Sequence, residues 1–509
     1  MLVSQFLERS ARRFPDKTAL VVGDDSYSYG QLNQHSNRIA HTLIGAGVQK
    51  GDRIAIHLPN SAEAAIAIFG VLKASAAFVM VNPSVKPKKL DYILRDAGIR
   101  SVFVPSHKVG KLDTVFADAG VQTAITVGDS DAAVATGPTR YLSWQSALAE
   151  SSDQDPTVGV TEADLAALIY TSGSTGDAKG VICAHENVVF ASGSIIEYLG
   201  NIPGDIVINA LPLSFDYGLY QLLMVFRFGG TLVLQDGFAF PAVILRQVER
   251  HKVTGLPGVP TMFATILNLD LGRYDLSSLR YLTNTAAALP VSHIERLRRA
   301  FPQAELFSMY GLTECKRALY LPPEELDRRP GSVGIAIPGT SAWIEDEDGI
   351  RLEPGHIGEL VVQGRHVMGG YWNKPEASRR FQSSDNPAER LLYTGDLLRQ
   401  DDDGFFYFVG RQDDIIKSRG EKVAPKEIEN VLYELEGVLE ACVIGEADPL
   451  LGESIKAMIV ADGANLSKQE ILRHCRRHLE DFMVPHVVEF RDSLPKTDSG
   501  KIVRSSGGK

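Results

Sequence analysis

LIYTSGSTGDAKGV, residues 168–181, joins a short apolar run to a loop of small hydroxylated residues and glycines. Ala166 to Tyr170 reads as the end of a buried strand. Thr171, Ser172, Gly173, Ser174, Thr175 and Gly176 then leave backbone N–H groups and hydroxyls free to wrap a polyanion. Glycine lets the main chain turn close to such a ligand, and Lys179 adds a point charge. This is the composition of a phosphate-gripping loop. It is not a Walker A loop, which needs Gly-Lys-Ser/Thr in succession, because Lys179 follows Ala178 and precedes Gly180. A plain surface loop has the same composition. Its meaning rests on partners elsewhere in the chain.

Outward from the loop, helical periods alternate with short β-rich runs. Upstream, helices are expected at 3–14, 29–43, 62–73 and 88–96, with strands at 18–22, 53–57, 77–81 and 101–105. Downstream, a helix near 186–199 is followed by strands at 205–211, 231–234, 255–259, 279–283 and 305–310, again separated by helices. Such alternation predicts a parallel α/β sheet. From Gly331 to about Tyr371 the texture changes to short alternating strands, which suggests a small β subdomain. A second boundary lies near Gly410–Asp413, after which about 100 residues of mixed character are domain-sized. The expected fold class is therefore α/β. A large N-terminal domain of parallel α/β sheets with a small β subdomain spans 1–410, and a mobile α+β C-terminal domain spans 411–509.

Composition narrows the function. A chain of 509 residues exceeds one ordinary core. Its 52 basic and 63 acidic residues give a formal charge of −11, and no basic tract compensates, which argues against nucleic acid or an anionic membrane as partner. Cys183, Cys315, Cys442 and Cys475 are scattered with no CxxC pair, as expected of reduced thiols in a cytoplasmic protein. The first residues, MLVSQFLERSARRFPDK, place charges inside the apolar pattern and do not read as a signal peptide. No apolar run reaches the ~18 residues that suggest a membrane span.

Six segments carry chemistry: YTSGSTGDAKGV (170–181), YGLTE (310–314), GELVVQG (358–364), YTGDL (393–397), GRQDDIIKSRGEKVAPKEIE (410–429) and LPKTDSGK (494–501). In this order and spacing they resemble the motif series of the adenylate-forming superfamily, which holds acyl-CoA synthetases, peptide-synthetase adenylation domains and luciferases. The resemblance covers most of the chain. It implies that a carboxylate attacks the α-phosphate of ATP, expels pyrophosphate and yields an acyl-adenylate. That chemistry needs charge neutralisation, a metal and positioning. By resemblance, Thr171, Ser172, Ser174, Thr175 and Lys179 hold the β- and γ-phosphates, Thr313 contacts the α-phosphate, and Glu314 holds Mg²⁺. Tyr310 lies against adenine, and Asp396 and Arg411 meet the nucleotide hydroxyls. Without the resemblance, Thr313-Glu314 reads as a helix start, Asp396 as a turn-capping residue, and Arg411 as a surface arginine.

The same resemblance assigns Lys501 to bridge the substrate carboxylate and the α-phosphate, Asp413 to the hinge, and Gly420 to the path of a pantetheine arm. It implies domain alternation: one C-terminal orientation presents Lys501 for adenylation, and another presents the loop 417–420 for thiol attack. One departure stands out. Asp177-Ala178 occupies the place where many members have a proline before the lysine.

The acid pocket is expected around LPLSFDYGLYQLL (211–223). Phe215-Asp216 resembles amino-acid adenylation domains, whose aspartate pairs with the substrate ammonium; Asp216 could equally cap the helix that follows. Tyr217 and Tyr220 would make a short, partly polar pocket. The segment 315–317, Cys-Lys-Arg, resembles free-standing prolyl-carrier-protein ligases and related acyl-CoA ligases; Arg317 would favour an acidic or polar group if it faces the pocket. No carrier sequence follows Lys501, so the thiol acceptor is expected in trans, as CoA or a phosphopantetheinyl carrier protein. The leading expectation is a ligase for a small amino acid such as proline. A CoA ligase for a short acyl or aryl acid is the alternative, ahead of a luciferase-like oxidoreductase or a silent binding protein.

Overall fold

The alternation of helical and β periods closes into two mainly parallel sheets. The computed structural model describes residues 1–128, 137–149, 151–171, 178–285, 287, 289–386, 388–418, 421–448, 451–462, 466–496 and 502–504. The first sheet has seven strands in the order Arg140–Ser143, Thr123–Val127, Ser101–Pro105, Arg53–Ile56, Ala77–Met80, Leu165–Thr171 and Lys179–Ala184. The second has nine, with Glu305–Tyr310, Tyr281–Asn284, Gly255–Gly258, Ile206–Asn209, Thr231–Leu234 and Thr18–Val22 adjacent and parallel. The central strands, among them Ala77–Met80, Ser101–Pro105, Thr231–Leu234 and Tyr281–Asn284, are short and buried along their length, as strands covered on both faces must be.

The helix Ala62–Lys73 (AEAAIAIFGVLK) is apolar on nearly every face and buried at every residue but Glu63. A helix without a polar face needs cover all round. It has that cover within one hydrophobic cluster that includes Ile54 and Phe78 of the seven-stranded sheet and Val207 and Leu232 of the nine-stranded one. Its one buried charge, Lys73, pairs with Glu8 at 3.2 Å and Asp155 at 3.1 Å. The core therefore joins both sheets.

Lys179–Ala184 departs from the expected alternation by running antiparallel to Leu165–Thr171, which makes Thr171 and Lys179 register partners. The two ends of the glycine-rich loop are thus pinned side by side at the edge of the sheet.

The β subdomain extends beyond its expected end near Tyr371. Ser341–Glu345 and Ile357–Gly364 pair as expected, but the sheet continues through Arg390–Gln400 to Phe406–Arg411. Asp396 consequently lies inside a strand, opposite Arg411, and not at a turn. A separate five-stranded sheet follows, with Val438–Asp448 and Gly452–Ala461 as its long pair and the helices Pro425–Tyr433 and Lys468–His478 packed with it over their own core. Among the described residues, no helix is long and apolar enough to cross a membrane.

Candidate active site

Residues 369–372 tie the β subdomain to the edge strand beside the loop. Gly369 N–H donates to Ile182 O at 2.8 Å, Ile182 N–H to Gly370 O at 2.9 Å, and Trp372 N–H to Gly180 O at 2.7 Å. This backbone pairing carries Tyr371 to Lys179, the first residue of that strand. The Lys179 ammonium lies 5.3 Å from the centre of the Tyr371 ring, and the Tyr371 hydroxyl donates to Glu314 Oε1. A lysine at a strand start, an aromatic ring and a buried carboxylate from three distant stretches thus form one chain of contacts.

Thr313 and Glu314 sit in a turn after the strand Glu305–Tyr310, so the alternative of a helix start does not hold. Met368 N–H donates to Glu314 O at 2.9 Å, which fixes that turn against the β subdomain. No described hydrogen bond reaches Glu314 Oε2. A carboxylate with one oxygen not engaged suits Mg²⁺, which is commonly held by one or two carboxylates plus substrate phosphates. Among the described residues, Glu314 belongs to no preformed three-ligand cluster.

A second set of contacts lies at the end of the same strand. Asp396, 3% exposed, accepts from the Tyr310 hydroxyl at 2.6 Å through Oδ2 and from Arg411 Nε at 3.2 Å through Oδ1. Burial raises the Asp396 pKa and the Arg411 charge opposes that shift. Both carboxylate oxygens are engaged, so ribose hydroxyls would share lone pairs with these donors. Arg411 is half-exposed and paired, rather than a solvated surface arginine.

The residues expected around the acid are closed into an aromatic box. Asp216 is the first residue of the helix Asp216–Phe228, and no side-chain cap is made at that helix start. Its carboxylate instead faces Lys316, with Nζ 3.5 Å from Oδ2. Lys316 Nζ lies 4.3 Å from the Tyr220 ring centre, and Arg317 lies 5.4 Å from that of Tyr217. Arg317 is 3% exposed and donates through Nη1 to Thr285 Oγ1 at 2.6 Å, so it faces inward. Tyr217 donates to Thr283 O at 2.8 Å, while the Tyr220 hydroxyl has no partner. Burial lowers the Lys316 pKa to about 7 against the pull of Asp216. Asp216 therefore meets a basic side chain supplied by the chain itself, where the sequence left open either an arriving ammonium or a helix cap.

Ser172, Gly173, Ser174, Thr175, Gly176, Gly420 and Lys501 lie outside the described residues. Asp413 is exposed in a 3-10 turn, Gln412–Asp414, that leads out of the strand Phe406–Arg411. Tyr371 and Lys316 were not singled out from the sequence. Tyr371 follows a Gly-Gly pair, the one local hint that a backbone must approach closely there. Lys316 has a φ of 63°, a left-handed position rare for a side chain of its size and invisible in the sequence.

These features define an enzyme of the adenylate-forming class. A family model described as AMP-binding enzyme matches residues 7–372, and one described as AMP-binding enzyme C-terminal domain matches 427–501. The chain is 34% identical over 530 residues to a long-chain-fatty-acid–CoA ligase of Yersinia pestis, covering 98% of this chain and 92% of that protein. Its structure is similar to that of the anthranilate CoA ligase AuaEII in complex with anthranoyl-AMP, with a TM-score of 0.91, 27% identity, and coverage of 99% of this chain and 95% of that one. It is also similar to o-succinylbenzoate coenzyme A synthetase from Bacillus subtilis in complex with ATP and magnesium ion, with a TM-score of 0.85, 28% identity and 98% coverage of both chains. The chain belongs to the AMP-binding enzyme family and is an AMP-forming ligase. These relatives are CoA ligases, so the expected order of substrates is reversed: an acyl or aryl acid joined to CoA stands ahead of an amino acid loaded on a carrier protein.

Proposed function

We propose that this protein is an ATP-dependent acid–CoA ligase for a small acyl or aryl acid. The observation that carries it is the contact chain from Lys179 through Tyr371 to Glu314, which sets the lysine that closes the glycine-rich segment beside a carboxylate suited to a hydrated cation. Tyr310, Asp396 and Arg411 hold adenosine at the end of the same strand. Thr171 and Lys179 steady the outer phosphates, and Thr313 meets the α-phosphate. When bound at Glu314, Mg²⁺ supplies neutralisation of the phosphate charge that repels an incoming carboxylate.

The acid lies against Asp216, Tyr217, Tyr220 and Arg317. Its oxygen attacks the α-phosphorus in line, a P–O bond to pyrophosphate breaks, and an acyl-adenylate forms. Lys501 bridges the two reacting anions from the C-terminal domain, 411–509. Turning at Asp413 then withdraws it and brings Gly420 to the path of the CoA thiol, whose sulfur displaces AMP. Two features favour CoA and an acid without an ammonium: the chain already pairs Asp216 with Lys316, and the relatives reported above are CoA ligases.

The test is acid-dependent exchange of labelled pyrophosphate into ATP, followed by mass detection of the CoA thioester. Exchange with small acids and a CoA product are expected. Absence of exchange with every acid tried, or exchange with no CoA thioester, overturns this reading. Lys501→Ala should lower exchange by two orders of magnitude or more while thioester formation from a supplied acyl-adenylate survives. Equal loss of both half-reactions argues against alternation.

A further inference from the structure

We infer that the acid activated here carries a second anionic group, received by the buried pair Lys316 and Arg317. The inference deepens the ligase reading and rests on it, because that reading places the acid against Asp216, Tyr217 and Tyr220.

The first ground is a local imbalance of charge. Lys316 and Arg317 are 2% and 3% exposed and bring two basic side chains into a box walled by Tyr217 and Tyr220, where Asp216 supplies one carboxylate. With its pKa lowered to about 7 by burial, Lys316 takes up its full charge when a second anion arrives. Charged groups are retained in such surroundings when they are paired. The second ground is a surplus of donors. Lys316 Nζ, Arg317 Nε and the Tyr220 hydroxyl are all buried with no hydrogen-bond partner. The nearest carboxylate oxygen to Lys316 stands at 3.5 Å, an ion-pair contact rather than a hydrogen bond. Three idle donors on neighbouring walls, with a fourth N–H already held by Thr285, form a receptor for an acceptor that the chain does not provide.

The third ground is the backbone. Lys316 is one of the few non-glycine residues in the left-handed region, with a φ of 63°. Strain of this kind persists where the surroundings enforce it and is concentrated at ligand sites. Gly311 allows the turn to fold tightly, since a Cβ there would stand 2.4 Å from Lys316 O and 2.8 Å from Arg317 Cα.

A carboxylate fits this set. Its two oxygens accept from an ammonium, a guanidinium and a phenol, and its charge offsets the unmatched cation. An ammonium would meet two like charges, and an alkyl end would leave all three donors unpaired. The substrate class is therefore an acid bearing a distal carboxylate or an equivalent anion, with its other carboxylate free to react.

The experiment compares dicarboxylic acids with monocarboxylic acids of matched length, from malonate to adipate and with isophthalate against benzoate. It uses the full-length protein with ATP, Mg²⁺ and CoA and reads kcat and KM separately from AMP release. For the best-fitting length, kcat/KM is expected to favour the diacid by tenfold or more, mostly through KM. In Lys316→Met that diacid-to-monoacid ratio should fall by at least tenfold. If Lys316→Met does not fold, Asp216→Leu combined with Lys316→Met removes both charges together and should lose the same preference. Preference for monoacids, or an unchanged ratio in the variants, overturns the inference while leaving the ligase reading intact; preference for amino acids over both overturns the inference and the assignment of an acid without an ammonium. Failure of every acid to release AMP ends both.

Discussion

Asp396 shows how one buried carboxylate is kept ready for a polar ligand. Burial favours its neutral form, and Arg411 with the Tyr310 hydroxyl hold the charged form against that cost. Asp396→Asn keeps the shape but removes the charge and leaves the Arg411 side chain facing an amide. Hydrogen bonds to charged groups contribute about 1.5–3 kcal/mol, so the KM for ATP should rise roughly 10- to 100-fold. ATP saturation of pyrophosphate exchange checks this, and an unchanged KM removes Asp396 from the nucleotide site. Tyr371 acts one step further out, through Glu314. Tyr371→Phe frees that carboxylate while keeping the ring beneath Lys179. The Mg²⁺ concentration for half-maximal exchange should then rise several-fold, and a superimposable Mg²⁺ titration would show that Glu314 does not need this anchor.

At the scale of elements, periodicity exposed most of the framework because each short strand or amphipathic helix states its own pattern. Thr18–Val22, Ser101–Pro105 and Ala62–Lys73 lie where the residues place them. The misses are contacts between distant segments. Tyr371 reaches Glu314 only because residues 369–372 pair with the edge strand Lys179–Ala184, and neither period nor composition encodes that pairing. Lys316 was hidden for a similar reason: its value comes from Asp216, a hundred residues earlier in the chain. Helix packing gives a direct check on the framework. A Cβ on Gly70 would stand 2.5 Å from Ile39 Cγ2, between two of the closely packed helices. Gly70→Ala should destabilise the N-terminal sheets by about 1–3 kcal/mol through overpacking, read as a lower midpoint in urea. The C-terminal tail offers another. Arg504 donates to Val443 O at 2.8 Å, pairs with Glu429 at 2.8 Å and lies 3.6 Å from Asp414, clamping the chain three residues beyond Lys501. Arg504→Ala should slow adenylation about tenfold, a loss of about 1.4 kcal/mol in barrier terms, and spare thioester formation from supplied acyl-adenylate. Equal slowing of both steps would mean the clamp serves folding alone.

On the scale of the whole molecule, acid stability depends on imidazoles sealed in the interior, of which His57, His185 and His366 are the most buried and His293 is shifted in the same direction. His57 is 1% exposed with no partner for Nδ1, and His366 is fully buried with none for Nε2. His185 accepts at Nδ1 from the Val3 N–H at 3.1 Å, which requires that nitrogen to be unprotonated. Burial lowers the pKa of His57 and His185 to about 4 and that of His366 to about 3. In the unfolded chain each returns to about 6.5. Between those limits the unfolded state binds more protons than the folded state, so stability rises with pH across this window. The contribution is fully present above about 6.5 and drains away as pH falls towards 4. Each group costs up to about 1.4 kcal/mol per pH unit, and the three together cost roughly 4 kcal/mol per unit at the steepest. That is comparable with the whole stability of a typical domain, about 5–15 kcal/mol. The midpoint of the transition that includes the N-terminal sheets should therefore fall steeply from pH 6.5 to 4.5, with net proton uptake on unfolding. Calorimetry in two buffers of different ionisation enthalpy measures that uptake directly. A midpoint that stays level over this range, or uptake near zero at pH 5.5, would mean that the three rings reach solvent or a proton acceptor in the folded protein.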